Sequence, residues 1–348
     1  MQIRQGNPHL ITRSLSPENQ ETPIQFLSNT VTPEKLFYRR NHFRYPLLSD
    51  DNFFLSVFGS VTRPYHFSIR DLFNFPAQTI ETVLECAGNK RSKFEPKVAG
   101  EQWEDGAISQ GIWRGVPLRL ILEQTGLSER AKEVVFEAHD KGKHPGYPQP
   151  IRYARSLPLA KALHPDTIIA YELNRMPIPG KHGYPLRLIV PNWYGMASVK
   201  WLKTIRVIDT KFQGPFQTDD YVYYPKDQKP FPVTAVKVNS TIQKPLNLAI
   251  LEKGTHEIKG VAWSGSGEIT KVQVSLDSGV NWTDSTLTKG SRYSWSSWRH
   301  EWKAEQEGEY KIKVRAVDSA GFVQPDKAMW NKKGYGYNQI SEINIKIK

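Results

Sequence analysis

An α+β architecture in two parts, a mixed α/β domain followed by an all-β sandwich, is predicted by three features of this chain. Its 348 residues exceed the size at which one hydrophobic core usually keeps growing, so two domains are expected. Up to residue 228, short apolar strand signals alternate with helix-like stretches. Beyond that point the helix signal disappears, and strictly alternating apolar and polar residues are separated by turn residues. The change of pattern places a second domain at residues 229–348 and a first at residues 31–228, with residues 1–30 expected as an extension ahead of it.

In the first domain, strands are expected at residues 53–61, 79–85, 133–138 and 167–173, with helix-like stretches at 68–73, 118–124 and 157–163. An apolar strand is expected at residues 186–190. The connections at residues 90–115 and 140–156 read as long loops. Loops of that length in a compact domain are usually functional or disordered, and their tryptophans argue for order. In the second domain, residues 269–276 alternate strictly, residues 277–282 turn the chain, and residues 310–317 alternate again. Short strands between turn signals point to two packed sheets.

Composition narrows the function classes. Charged residues make up 24% and hydrophobic residues 39% of the chain, an ordinary globular mixture. The formal net charge of +12 favours an anionic partner. The cations are scattered, and no helix-turn-helix, zinc-finger or glycine-aromatic RNA-binding motif accompanies them, so a small anion or anionic cofactor is expected rather than nucleic acid. The single cysteine excludes an intrachain disulfide and fits a reducing compartment. No stretch approaches the roughly 18 to 20 apolar residues of a membrane helix. Arg39 and Arg40 precede Asn-His-Phe-Arg rather than an apolar run, so they do not read as an export signal. A cytoplasmic protein without membrane insertion is the expectation.

The one thiol, Cys86, follows an alternating strand and precedes Ala87, Gly88, Asn89, Lys90 and Arg91. An unpaired cysteine is usually a small buried hydrophobe. Here the small residues would let a large group approach the backbone, and the two cations would lower the thiol pKa toward the thiolate, the form that ligates metals.

Four segments in order carry a resemblance. They are residues 37–42 (Phe-Tyr-Arg-Arg-Asn-His), residues 84–91 around Cys86, residues 166–174, and residues 182–191 continuing to residues 198–202. Together they resemble the sulfite oxidase family of molybdenum enzymes. The β-rich tail, with Trp263, Asp277, Gly279 and Trp282, resembles that family's immunoglobulin-like dimerisation domain. The resemblance implies one molybdenum held by a molybdopterin dithiolene and by Cys86. A soft thiolate suits a redox-active metal. It further implies cofactor contacts from Asn41, His42, Asp140, His182, Arg187, Ser198, Val199 and Lys200. Read alone, His182 could occupy a surface turn and Lys200 could be a solvated charge. Arg187, on an apolar strand, requires an anionic partner or an exposed strand face.

For the substrate, the resemblance implies a small oxyanion, sulfite favoured, held by Arg40 and Arg91, with Tyr221 directed at the metal-bound oxygen. Planar guanidinium pairs bidentately with oxyanions. A third arginine of the family pattern is replaced by Lys333, which keeps the charge and loses the fork. Arg39 and Lys90 add charge beside the two matching arginines.

The implied chemistry is oxidation of sulfite to sulfate. The chain shows neither the His-Pro-Gly-Gly motif of a cytochrome-b5 module nor Cys-x-x-Cys-His, so the electrons are expected to go to a separate acceptor or directly to a soluble oxidant such as dioxygen. Two alternatives stay open: a molybdenum reductase of a sulfoxide, N-oxide or nitrate, and a binding module with a degenerate site. A homodimer through the second domain is implied. Trp295, Trp298 and Trp302 either form that interface or fill the sandwich core.

Overall fold

The computed structural model describes residues 9–27, 31–49, 51–225 and 228–348. An N-terminal hairpin pairs β1 (Ile11–Leu15) with β2 (Glu18–Glu21). Every residue of β2 is buried, and Glu18 pairs with Arg39 at 2.8 Å and with Lys181 at 2.9 Å. The hairpin is thus built into the first domain.

Next come β3 (Phe54–Gly59), β4 (Tyr65–Ser68), α1 (Ile69–Phe73), β5 (Gln78–Glu85), β6 (Ile108–Pro117) and α2 (Leu118–Thr125). They are followed by β7 (Glu133–Gly142), β8 (Ile151–Pro158), α3 (Leu159–Ala162), β9 (Ile168–Leu173), β10 (Met176–Pro177), β11 (Arg187–Ile189) and β12 (Leu202–Ile208). One sheet runs β10-β9-β6-β5 with β11 on β9, and another runs β4-β3-β12-β7-β8. Both contribute to one apolar core that includes Leu55, Phe136, Ile169 and Ile205.

The expected strands are present, but the domain is more strand-rich than its sequence suggests. β6 and β8 reach into the two stretches expected to be long loops, over residues 108–115 and 151–156. Gly111 and Gly115 read as loop residues, yet both lie in β6 because the backbone there is crowded. A Cβ at Gly115 would meet the carbonyl of Ile169 at 2.1 Å, and one at Gly111 would meet Leu173 at 2.8 Å. The helix expected at residues 157–163 is reduced to α3, since β8 runs through Leu157 and Pro158 supplies the helix N-cap position. α1 is fixed by a capping box between Ser68 and Asp71.

A short pair, β13 (Val222–Tyr223) and β14 (Phe231–Pro232), leads into the second domain. There follow β15 (Asn239–Lys244), β16 (Ile250–Leu251), β17 (Gly254–Trp263), β18 (Ile269–Ser275), β19 (Thr283–Asp284), β20 (Thr286–Thr288), β21 (Ser296–Ala304), β22 (Gly308–Asp318) and β23 (Ser341–Ile347). Sheets β15-β17-β21-β20 and β16-β23-β22-β18-β19 share one core containing Ile258, Val272, Val314 and Ile345. The turn at residues 277–282 is held by Asp277, whose carboxylate accepts from the backbone of Val280 at 3.1 Å and of Asn281 at 2.9 Å.

Trp298 and Trp302 belong to the sandwich core, and Trp295 packs into the core of the first domain. All three are buried, so the reading as sandwich core holds for Trp298 and Trp302, whereas Trp295 fills neither role expected of it and packs against the first domain. Among the described residues, no helix is long and apolar enough to cross a membrane.

Candidate active site

The Cys86 turn begins where β5 ends. The backbone N–H of Cys86 donates to Ala107 at 2.8 Å, and its carbonyl accepts from Asn89 at 2.9 Å. The side chain of Asn89 ties the turn from within, donating to Glu85 Oε1 at 3.0 Å and accepting from the Ala107 N–H at 3.0 Å. Lys90 then takes a left-handed conformation, with φ of 62°.

The sequence reading of the two cations needs correcting. Lys90 turns away from Cys86 into the domain boundary, where its ammonium donates to Asn239 Oδ1 at 2.8 Å and the Ser240 carbonyl at 2.6 Å. The space beside Gly88 is filled by Arg91 itself, since a Cβ there would lie 2.7 Å from the guanidinium. Arg39 is likewise committed to Glu18. Burial pushes the Cys86 thiol up, against the opposing pull of Arg40 and Arg91. Deprotonation therefore awaits a positively charged partner such as a metal.

Cys86 opens onto a cleft that is open to solvent. Arg40, Asn41, His42, Asp140, His182, Arg187, Ser198, Val199, Lys200 and Tyr221 also line it. They converge from the segment before β3, from β7, from β11 and the turns around it, and from the turn before β13.

Several of these side chains hold one another. Lys200 Nζ donates to the carbonyl of Arg40 at 3.1 Å and to Asn41 Oδ1, and lies 4.2 Å from the ring of Trp201. Arg187 Nη1 donates to the carbonyl of His182 at 3.1 Å, and its guanidinium stacks 5.1 Å from Trp113. The hydroxyl of Ser198 accepts from the Val190 N–H at 3.1 Å. Tyr221 and His42 Nε2 are 3.1 Å apart.

Burial dominates the electrostatics. It lowers the pKa of His42, with Arg40 and Lys200 adding to the effect. It also lowers that of His182, with Arg39, Lys200 and Arg187 adding theirs. Both imidazoles are therefore neutral near pH 7. Burial raises the Tyr221 phenol well above its usual range and raises Asp140 to about 6, opposed by Lys200.

The residues present fit an anionic, pterin-like group that brings its own ligands to a metal. His182 Nε2 and Arg187 Nε are buried without a hydrogen-bond partner among the described residues, and such groups are costly unless a ligand meets them. Gly183, at φ of +116°, lets the His182 turn close on Lys200, where a Cβ would press on Lys200 and Arg187 at 3.2 Å. Among the described residues, no three His, Cys, Asp or Glu side chains gather to hold an ion, so a metal beside Cys86 needs other ligands.

Two expected residues lie off the cleft wall. Arg91 is buried behind the turn, its Nε donating to the Gly334 carbonyl at 3.2 Å and its Nη1 to that of Glu101 at 2.9 Å. Lys333 is half-buried and faces Asp220 Oδ1 at 3.8 Å, while the other oxygen of Asp220 meets His144 at 3.0 Å.

Sequence reasoning missed Tyr38 and Tyr153, which also line the cleft, and Arg155 beneath Tyr221. Arg155 is buried, 5.6 Å from the Tyr221 ring, donates to the Phe216 and Val233 carbonyls, and makes no ion pair among the described residues. Nothing in its sequence context separates it from a strand-surface arginine.

A family model described as the oxidoreductase molybdopterin binding domain matches residues 42–216. A second, the Mo-co oxidoreductase dimerisation domain, matches residues 230–348. The chain is 34% identical over 369 residues to mitochondrial sulfite oxidase of Homo sapiens, covering 98% of this chain and 66% of that protein. It thus spans about two thirds of that relative's length. An inducible NADH nitrate reductase of Glycine max is 33% identical over 356 residues, covering 91% of this chain and 40% of that protein. The crystal structure of the sulfane dehydrogenase SoxCD from Paracoccus pantotrophus superposes with a TM-score of 0.85 at 29% identity, covering 98% of this chain and 87% of that chain. With the thiol-lined cationic cleft and both domains matched, the chain belongs to the sulfite oxidase family of molybdenum-cofactor oxidoreductases.

Proposed function

We propose that this protein transfers an oxygen atom at a molybdenum–molybdopterin cofactor, oxidising sulfite to sulfate and passing electrons to a separate acceptor. The observation that carries this reading is the convergence of Cys86, Arg40 and Tyr221 on one cleft rich in cations. When bound, the cofactor supplies the two-electron redox step and the exchangeable oxygen.

Cys86 is the one thiol available to ligate the metal. His182, Arg187 and Lys200 would hold the anionic phosphate of the cofactor, and Asn41, His42, Asp140, Ser198 and Val199, which line the same cleft, would hold the rest of it. Arg40, on the cleft wall, would draw the oxyanion in and neutralise the charge that grows toward sulfate, and Arg91, behind the Cys86 turn, would add its positive field without touching the oxyanion. Tyr221 remains protonated at neutral pH and, oriented by His42, would donate a hydrogen bond to the reacting oxygen. Lys333 acts as an outer cation moderated by Asp220.

The second domain pairs two copies of the chain. A cytoplasmic setting, suggested by the unpaired cysteine, belongs to the same reading and is tested by cell fractionation. Similarity to a nitrate reductase favours one second reading, reduction of an oxyanion. Steady-state assays in both directions separate them: sulfite-dependent ferricyanide reduction is expected. Nitrate reduction from a viologen donor without sulfite turnover would replace the first reading with the second.

A further inference from the structure

The second domain reaches past the domain boundary to the residues that would handle substrate. The ring of Tyr335 stacks on that of Tyr221, with centroids 5.1 Å apart and planes 27° apart. The Arg91 guanidinium carbon lies 5.0 Å from the centroid of the same Tyr335 ring. One aromatic ring from the second domain therefore contacts both a tyrosine and an arginine contributed by the first.

The segment carrying Tyr335 is held closely. Its N–H donates to Asn331 Oδ1 at 3.0 Å, and its carbonyl accepts from Asn331 Nδ2 at 2.8 Å. The flanking residues lock the segment onto the Cys86 turn. The Gly334 carbonyl accepts from Arg91 Nε at 3.2 Å, and the Gly336 N–H donates to the Ala87 carbonyl at 2.8 Å. Both glycines have positive φ, +63° and +64°. A Cβ on Gly334 would fall 2.4 Å from Val98, and one on Gly336 would fall 2.3 Å from the Tyr223 hydroxyl. Only glycine on either side lets the backbone come this near, and the approach delivers the ring to Arg91 and Tyr221.

We propose that Tyr335 is a positioning residue of the oxyanion pocket, its ring holding the phenol of Tyr221 on the cleft wall against the guanidinium of Arg91 behind the Cys86 turn and so setting oxyanion affinity. The proposal rests on the sulfite reading for its substrate class. A guanidinium over an aromatic face is attracted by the ring quadrupole, and stacked rings restrict each other's tilt. The ring therefore matters more than the hydroxyl. Tyr335→Phe keeps the contacts, and Tyr335→Leu removes both.

The test compares wild type, Tyr335→Phe, Tyr335→Leu and Asn331→Ala as metal-loaded full-length proteins. The readouts are sulfite KM and kcat, sulfate affinity by calorimetry, and molybdenum content. Tyr335→Leu is expected to raise KM and weaken sulfate binding about tenfold, with kcat within about threefold and molybdenum unchanged. Tyr335→Phe is expected to restore wild-type values, and Asn331→Ala, which frees the segment but keeps the ring, to raise KM severalfold. If Tyr335→Leu does not fold, the contrast between Asn331→Ala and Tyr335→Phe decides.

Unchanged KM and sulfate affinity in Tyr335→Leu overturns the proposal, as does a parallel fall in kcat and molybdenum content that marks a structural role. Wild-type sulfate binding that weakens in Tyr335→Leu, without sulfite turnover, removes the substrate reading and keeps this one. Sulfite turnover equal in wild type and Tyr335→Leu does the reverse, and a wild type that neither binds sulfate nor oxidises sulfite removes both.

Discussion

The ammonium of Lys90 lies 2.8 Å from Asn239 Oδ1, so the residue four places after Cys86 is anchored in the second domain. The same boundary is crossed on the other side of the thiol, where the Trp263 indole donates to Glu85 Oε2 at 2.9 Å. Both residues are buried, and hydrogen bonds to buried charged groups are among the stronger ones. The geometry of the thiol turn therefore depends on domain contact. Lys90→Met is expected to cost about 1–3 kcal/mol, lowering Tm by several degrees in a calorimetric scan. An unchanged Tm would show that the two domains hold the turn without this contact.

Arg187 offers a test of cofactor retention. Its Nε is buried without a partner among the described residues, and an anionic phosphate would satisfy it. A charge-assisted hydrogen bond contributes about 1.5–3 kcal/mol, so Arg187→Ala is expected to retain about a tenth or less of the wild-type molybdenum. Elemental analysis of dialysed protein checks this. Full retention would place the phosphate elsewhere.

Arg40 and Lys333 should differ in effect. Arg40 lines the cleft, whereas Lys333 faces Asp220 at 3.8 Å, where solvent and the carboxylate moderate its charge. Arg40→Gln is expected to raise the KM for sulfite about ten- to a hundredfold, and Lys333→Gln less than about threefold. Equal effects would mean that Lys333 reaches the substrate directly.

His182 gives the pH dependence a sign. It is faced by Arg39, Lys181, Arg187 and Lys200, with Glu34 Oε1 3.9 Å away. Burial first, then the cations, lowers its pKa well below 6.5. As pH falls below about 6.5, the unfolded chain takes up a proton that the folded cofactor-free protein refuses, so this group's contribution to stability falls until the folded-state pKa is reached. Wild type is therefore expected to lose more Tm than His182→Gln between pH 7.5 and pH 5.5. Parallel losses would show that His182 does not titrate differently in the folded state.

Much of the site was legible because its chemistry uses residue types that are conspicuous in sequence. A lone cysteine after a strand, Arg40 to His42 together, and an arginine on an apolar strand each demand an explanation before any coordinates are known. The order of the four segments supplied the rest. What stayed hidden depends on pairings distant in sequence. Tyr335 and Tyr221 are 114 positions apart (335 minus 221), and although Tyr221 was expected in the site, nothing in the sequence marks Tyr335 as its partner. Lys90 was misread because proximity in sequence to Cys86 says nothing about direction, which its left-handed φ reverses. β6 was missed because Gly111 and Gly115 serve close packing, while the same residues usually signal turns.

The most direct test is molybdenum content of wild type and Cys86→Ser, with sulfite-dependent ferricyanide reduction measured on the same preparations. About one molybdenum per chain is expected in wild type, with sulfite turnover that disappears in the variant, since an alcohol is a poor ligand where a soft thiolate is needed. A wild type that takes up no molybdenum in a host that makes the pterin, or a Cys86→Ser variant that oxidises sulfite as fast as wild type, would contradict it.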